Sequence, residues 1–123
     1  MANQGFVCWT EIPVSDLDNG QQFYEKVFGW KMRKQDMQPN AIVDYKDDDT
    51  AVAGHLYVGK PSQEGTGATI HLVVPDNVEA TAARCKDAGG NVVSPVIEIP
   101  PGRFAYALDP DGNSIGLFEP KGA

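Results

Sequence analysis

Two short stretches decide the fold of this chain, Pro13-Val14-Ser15-Asp16 and Val73-Val74-Pro75-Asp76, which lie sixty positions apart. In each, an apolar strand-like segment ends and a helix-like segment begins, and acidic residues suit the first turn of a helix. A second pair with the same spacing, Phe28-Gly29-Trp30 and Ala88-Gly89-Gly90, marks where each helix ends. The sequence therefore predicts an internal repeat rather than one long meander.

On either side of these motifs, each half of the chain is predicted to contain one strand, one helix and three further strands. The helices are predicted at about 16–28 and 77–88, from apolar residues at helical spacing and from the glycines that follow. Short β-branched and aromatic runs between polar turns predict the strands. These predicted strands are 6–14, 30–34, 41–45 and 50–58 in the first half, and 68–74, 91–99, 103–108 and 114–118 in the second.

The expected fold is α+β, with two β-α-β-β-β units that form curved mixed sheets around a cleft and carry their helices outside. We assign residues 5–59 to the first unit, 60–67 to a Pro-, Ser- and Gly-containing connector, and 68–120 to the second unit. A chain of 123 residues can build one sizeable core but not two independent ones. We therefore expect a single domain over residues 1–123.

Charge and hydropathy exclude several partners. The net charge of −7 argues against nucleic acid, because such binding relies on clustered Lys and Arg. No stretch approaches the roughly 18 apolar residues of a membrane span, and the N-terminal segment lacks the pattern of a signal peptide. We expect a cytoplasmic protein that binds neither nucleic acid nor membrane.

Three segments carry a resemblance to a known family: Ile12-Pro-Val-Ser-Asp-Leu-Asp, the helix Phe23-Tyr-Glu-Lys-Val-Phe-Gly-Trp30, and Asp109-Pro-Asp-Gly-Asn-Ser-Ile-Gly-Leu-Phe118. Together they resemble the glyoxalase, bleomycin resistance and extradiol dioxygenase superfamily, also called vicinal oxygen chelate proteins. Cys8 to Val14 and Gly102 to Phe104 are similar to its small branch related to lactoylglutathione lyase. The resemblance spans nearly the whole chain and implies a single glyoxalase-like domain.

The resemblance also implies a divalent metal site, at positions that fall here on Trp9, Gly54, Thr69 and Gly116. None of these four residues has a side chain with a His, Gln or Glu ligand, and a metal site needs several such ligands converging. We therefore expect no metal and no cofactor.

Other residues on the same strands are candidates for chemistry. Glu11 shares a strand face with Trp9, and His71 shares one with Thr69, so Glu11 and His71 are predicted to form an acid–base pair in the cleft. The alternative is a hydrogen-bonded polar pair without catalytic function. His55 would face the cleft only if its strand were shifted by one residue.

Ligand-binding candidates complete the predicted site. Aromatic side chains could form the cleft walls, although each could instead belong to the core. Arg103 follows a stiff Pro-Pro-Gly loop and would suit a carboxylate or phosphate ligand, unless it is a solvated surface residue. The predicted ligand-binding residues are Trp9, Trp30, Arg103, Tyr106 and Phe118.

Two main functions are consistent with these residues. The first is a module that binds or sequesters a small organic molecule without metal chemistry, as the resistance proteins of the superfamily do. The second is a metal-independent lyase or isomerase for a small carbonyl compound, with His71 and Glu11 as acid–base residues. A metal-dependent glyoxalase or dioxygenase would need ligands that the sequence does not show. The resemblance and the exposed edges of two sheets also predict a homodimer.

Overall fold

The computed structural model of the protein describes residues 7–36, 41–46, 53–64 and 66–122. Within these ranges it contains two α-helices and nine β-strands, which follow one another in the predicted order. In the first half these are β1 (Thr10–Val14), α1 (Leu17–Phe28), β2 (Arg33–Gln35), β3 (Ile42–Asp44) and β4 (Gly54–Val58). In the second half they are β5 (Ile70–Val73), α2 (Val78–Asp87), β6 (Asn91–Val92), β7 (Ile97–Ile99), β8 (Gly102–Leu108) and β9 (Ser114–Pro120).

The strands form two mixed sheets, one from each half of the chain. Sheet A has the order β1-β4-β3-β2, with β1 parallel to β4 and the other pairs antiparallel. Sheet B has the order β5-β9-β8-β6, with β5 parallel to β9, and β7 also pairs with β8. The α+β fold with two helices and two mixed sheets is confirmed.

Helix boundaries agree with the prediction to within one residue, whereas several strands differ from it. β1 begins only at Thr10, and β2 covers Arg33–Gln35 instead of the predicted 30–34. The predicted strand 91–99 is divided into β6 and β7, so the second half has one strand more than the first. Pro95 lies in the gap and has no backbone N–H to donate to a ladder. Ser94 also interrupts the strand pairing, because the Tyr106 backbone N–H donates a hydrogen bond to the Ser94 side-chain Oγ at 2.8 Å and not to a backbone carbonyl oxygen. Residue 6 and residues 50–52 of the predicted strands lie outside the described residues.

Helix α1 packs closely on one face of sheet A. Its N-terminus is capped by Asp16, whose carboxylate accepts a hydrogen bond from Asn19 N at 2.9 Å, and Gly29 ends it with a φ of 73°. An added Cβ at Gly20 would lie 3.1 Å from Leu56 and 3.2 Å from Val14, so the helix lies directly over β1 and β4. Even-numbered residues of these two strands therefore face α1. We call the opposite face the far face of sheet A.

Helix α2 covers the corresponding face of sheet B. Glu119 on β9 accepts a hydrogen bond from the backbone N–H of Val78 in the first turn of α2, and Arg103 on β8 contacts Glu79 of the same helix. Side chains alternate along a strand, so the neighbours of these two residues point away from α2. We call that side the far face of sheet B.

The turn that follows β8 fastens the two units together. The buried Asp109 accepts a hydrogen bond from the Tyr24 hydroxyl of α1 at 2.7 Å, and Asn113 Nδ2 donates to the Pro13 carbonyl oxygen at 2.7 Å. Burial raises the pKa of both Tyr24 and Asp109. The Asp-Pro-Asp-Gly-Asn segment thus bonds the second unit to the helix and first strand of the first unit.

Candidate functional site

Three side chains form a connected cluster on the far face of sheet A. Glu11 and His55 are direct cross-strand neighbours on β1 and β4. The indole Nε1–H of Trp9 donates a hydrogen bond to His55 Nδ1 at 2.9 Å, and His55 Nε2 lies 3.4 Å from a Glu11 carboxylate oxygen. The His55 side chain is 14% exposed, whereas that of Glu11 is 60% exposed. An imidazole and an accessible carboxylate therefore lie side by side.

The position of His55 corrects the predicted register of β4. Gly116 is the cross-strand partner of His71, and the equivalent partner of Glu11 is His55 rather than Gly54. Gly54 pairs with Thr10 and faces α1, where an added Cβ would overlap the Thr10 carbonyl oxygen. Because successive side chains point to opposite faces, a one-residue slip in alignment exchanged the two faces of the strand.

The polar surface continues from His55 across sheet A. Asp44 on β3 is the cross-strand partner of His55, and Arg33 on β2 is the partner of Asp44. The Arg33 guanidinium contacts the Asp44 carboxylate at 2.8 Å, and Gln35 Nε2 also donates a hydrogen bond to this carboxylate. The far face of sheet A thus carries a row of charged and polar side chains.

The far face of sheet B is aromatic instead. The His71 ring meets the rings of Phe104, Tyr106 and Phe118 edge-on, with centroid distances of 5.0, 5.8 and 5.8 Å. An added Cβ at Gly116 would overlap the His71 imidazole, so the absence of a side chain there leaves space for this ring. Tyr106 and Phe118 therefore lie with His71 in one aromatic cluster. The sequence analysis did not single out Phe104, although its alternation with Tyr106 could have indicated it.

Glu11 and His71 belong to different clusters. Glu11 pairs across the strands with His55, and His71 pairs with Gly116 in the other sheet. Trp9 and Glu11 thus lie in one cluster, as predicted. The imidazole beside the Glu11 carboxylate, however, is that of His55 and not the predicted His71. Strand periodicity identified the correct face for Glu11, but only the register of β4 could identify its neighbour.

A cavity of about 330 Å³ lies between the two units. From the first unit Thr10, Trp30 and Tyr45 line it, and from the second unit every residue of β5 does. Trp30 stacks on Tyr45 with a centroid distance of 4.9 Å, so it belongs both to the aromatic core and to this cavity wall. Burial raises the pKa of Tyr45 to about 12, and its hydroxyl therefore stays neutral and accepts a hydrogen bond from Thr10 at 3.0 Å.

Arg103 does not line either far face. Its guanidinium donates hydrogen bonds to Glu79 at 2.7 and 2.9 Å and to Glu119 at 3.2 Å. It borders a larger cavity of about 450 Å³ at the end of sheet B, whose walls also include Asp76 and Glu98. A ligand carboxylate would have to displace a protein carboxylate from Arg103, so we do not include this residue in the proposed site.

The residues at the four family positions do not fit a divalent metal. With the corrected register these positions hold Trp9, His55, Thr69 and Gly116, and only His55 has a metal-ligating side chain. Its Nδ1 already accepts the Trp9 hydrogen bond. In the described part of the chain, no three side chains among His, Cys, Asp and Glu converge as a metal site would require.

Neither helix within the described ranges is long and apolar enough to cross a membrane.

Comparison with known proteins gives the family. Residues 7–117 match the Glyoxalase family, described as the Glyoxalase/Bleomycin resistance protein/Dioxygenase superfamily. Lactoylglutathione lyase of Haemophilus influenzae is 29% identical over 122 residues, covering 91% of this chain and 90% of that protein. CFP32 of Mycobacterium tuberculosis, whose name marks it as a provisional glyoxylase, is 31% identical over 121 residues. That alignment covers 94% of this chain but 44% of CFP32, so the chain spans less than half the length of this relative.

Solved structures agree in fold. The crystal structure of a glyoxalase-related enzyme from Fulvimarina pelagi superposes with a TM-score of 0.68, over 92% of this chain and 86% of that one, at 22% identity. At this level of identity the likeness shows the fold alone. The family match covers most of the sequence, and we conclude that the chain belongs to the glyoxalase/bleomycin resistance protein/dioxygenase superfamily.

Proposed function

We propose that this protein binds a small organic molecule in the cleft between its two units, without the metal ion that its superfamily suggests. The observation that carries this proposal is the cavity of about 330 Å³ between the units. Its size falls at the lower end of the range for small-molecule sites, and such sites are mostly apolar with a few polar groups.

The composition of the cavity wall indicates the kind of ligand. Trp30 and Tyr45 offer aromatic faces, and Leu72 and Val73 offer aliphatic surface. The neutral Tyr45 hydroxyl and the His71 imidazole are available as polar contacts. This wall favours a flat, largely apolar molecule with a hydrogen-bonding group.

A pair of matched substitutions tests the site. Val73 lines the cavity and is 62% exposed, whereas Val58 is 60% exposed and lines none of the cavities described above. A thermal-shift screen of neutral aromatic fragments should yield ligands, since binding to the native state raises its apparent stability. Val73→Phe should then weaken their binding at least tenfold by filling the cavity, and Val58→Phe should leave it unchanged. Equal binding by both variants would refute the site.

The proposal that ligand binding requires no metal ion is tested separately. Elemental analysis of the purified protein should find no stoichiometric divalent ion, and added divalent ions should not raise its melting temperature. A stoichiometric ion whose removal abolishes fragment binding would overturn this part of the proposal.

A lyase or isomerase acting on a small carbonyl compound is the alternative function. It is favoured by one observation, the exposed Glu11 carboxylate beside an imidazole. The imidazole is that of His55, so His55 replaces His71 as the candidate partner of Glu11. If this alternative holds, a substrate found by screening should be turned over by His71→Gln but not by Glu11→Gln.

We also propose that the protein forms a homodimer. Apolar side chains are exposed on the far face of sheet B, with Tyr106 37% and Val73 62% exposed. A second copy could cover them, and the greater length of CFP32 leaves room for a second domain of this size. Light scattering at micromolar concentration should give about twice the 13.3 kDa chain mass, and a monomer mass would refute the proposal.

A further inference from the structure

The hydrogen bond between Trp9 and His55 determines where the imidazole carries its proton. An indole N–H can only donate, so His55 Nδ1 must accept, and the neutral ring then has its proton on Nε2. His55 Nε2 lies 3.4 Å from a Glu11 carboxylate oxygen. In the described part of the chain, the structure gives Nε2 no hydrogen bond of its own.

Glu11 and His55 therefore present an acceptor and a donor next to each other. An ionised carboxylate only accepts hydrogen bonds, and the 60% exposure of the Glu11 side chain leaves it open to a ligand. A ligand that satisfies both groups needs a carbonyl oxygen beside an N–H. An amide has both, on neighbouring atoms.

Charge and shape further restrict the class of ligand that this site can bind. The exposed Glu11 carboxylate disfavours an anion at this position. The half-exposed Trp9 ring, tilted beside His55 at a centroid distance of 5.9 Å, offers an aromatic surface to a planar molecule.

We propose that Trp9, Glu11 and His55 form a second binding site, on the far face of sheet A, for the amide edge of a neutral planar lactam. The lactam carbonyl accepts a hydrogen bond from His55 Nε2–H, and its N–H donates to the Glu11 carboxylate. Trp9 stacks beside the ligand and holds His55 in the donor tautomer. None of these three residues lines the cavity of about 330 Å³ proposed above as the ligand site.

The two tryptophans of the chain allow a clean test. The Trp9 indole N–H reports on the lactam site, and that of Trp30 reports on the inter-unit cavity. In a titration of ¹⁵N-labelled protein, 2-pyridone should move the Trp9 indole signal with a Kd of about a millimolar. N-methyl-2-pyridone keeps the shape but lacks the N–H, and it should bind at least tenfold more weakly.

Variants separate the roles of the three residues. Glu11→Met should weaken 2-pyridone binding at least tenfold, and the same change at the exposed carboxylate of Glu98 in sheet B should have no effect. Trp9→Phe keeps an aromatic ring but removes the donor to His55. It should weaken binding several-fold and move the ¹⁵N shifts of the His55 ring away from those of a pure Nε2–H tautomer.

The outcomes distinguish this site from the inter-unit cleft. Equal binding of 2-pyridone and its N-methyl analogue at Trp9, or no change in Glu11→Met, would overturn the lactam site. Shifts confined to Trp30 would also overturn it while leaving the inter-unit site in place. Selective binding at Trp9 in Val73→Phe would support the lactam site even if the cleft proves empty.

Discussion

The far faces of the two sheets occupy equivalent positions in the repeat but carry opposite chemistry. Glu11 on β1 corresponds to His71 on β5, and their cross-strand partners are His55 and Gly116. On sheet A the Glu11 carboxylate lies beside the His55 imidazole. On sheet B the His71 imidazole fills the space over Gly116. A repeated backbone thus sets the positions of the side chains but not their chemistry, and equivalent residues cannot be given equal roles.

Substitutions at Gly54 on β4 and Gly116 on β9 are the strongest test of this difference between the two sheets. An added Cβ at Gly54 would overlap the Thr10 backbone oxygen, whereas at Gly116 it would overlap only the His71 ring. Gly54→Ala should lower the free energy of unfolding by about 3 kcal/mol, because backbone must move, and Gly116→Ala by about 1 kcal/mol, because a side chain can rotate away. Urea denaturation measures both. Equal costs would show that the two positions are more alike than the register indicates.

Loss of the hydrogen bond that joins one unit to the other should also lower the free energy of unfolding. Tyr24→Phe removes the hydrogen bond from its hydroxyl to the buried Asp109 carboxylate and should cost about 2 kcal/mol. Tyr57→Phe is the matched control, because the structure gives its hydroxyl no hydrogen bond within the described ranges, and it should cost little. If both changes cost the same, the Tyr24 bond does not hold the units together.

The same variant should show a pH dependence of known sign. Burial raises the pKa of Asp109, so its contribution to stability is complete below the unfolded-state value of about 4 and is lost as pH rises through the folded-state value. The Tyr24 hydrogen bond opposes this rise in pKa. Removal of this hydrogen bond by Tyr24→Phe should therefore lower the free energy of unfolding more at pH 7 than at pH 4. An equal cost at both pH values would contradict the assignment.

The two tryptophans sharpen the comparison between surface and core. Trp9 is 45% exposed, so Trp9→Ala should lower the free energy of unfolding by about 1 kcal/mol. Trp30 is partly buried and stacks with Tyr24, Phe28 and Tyr45, so Trp30→Ala should cost about 3 kcal/mol, the lower end of the range for truncating a large aromatic residue in the core. A cost of 3 kcal/mol for Trp9→Ala would place Trp9 in the core and remove it from the proposed lactam site.

Arg103 gives the smallest expected effect on stability. Its guanidinium lowers the pKa of Glu79 to about 2, so this contribution to stability is present above the ordinary value of 4.5 and is lost as pH falls toward 2. Arg103→Gln should raise the Glu79 pKa from about 2 toward its ordinary value of 4.5, as ¹³C NMR of the carboxyl carbon would measure. A Glu79 pKa that stays near 2 in the variant would show that Arg103 is not its main partner.

Sequence periodicity predicted the elements better than it predicted their contacts. The acidic start and the terminal Gly29 placed α1 to within one residue, because capping is local chemistry, although the sequence left both Ser15 and Asp16 as possible N-caps and the structure shows Asp16. The division of strand 91–99 was missed, although Pro95 was a visible local signal. The face of Glu11 followed from the alternation along β1, but assigning His55 to that face required the pairing of β1 with β4.

The sequence by itself determined the repeat, the α+β class and the family, because capping residues, strand alternation and turn motifs act over short distances along the chain. Only the tertiary structure decided which side chains meet. Three contacts illustrate this: His55 beside Glu11, Asp109 bonded to Tyr24, and Glu79 paired with Arg103, each between residues far apart in the chain. Such contacts depend on register and packing across the whole domain, and a one-residue slip reverses the face of every side chain in a strand.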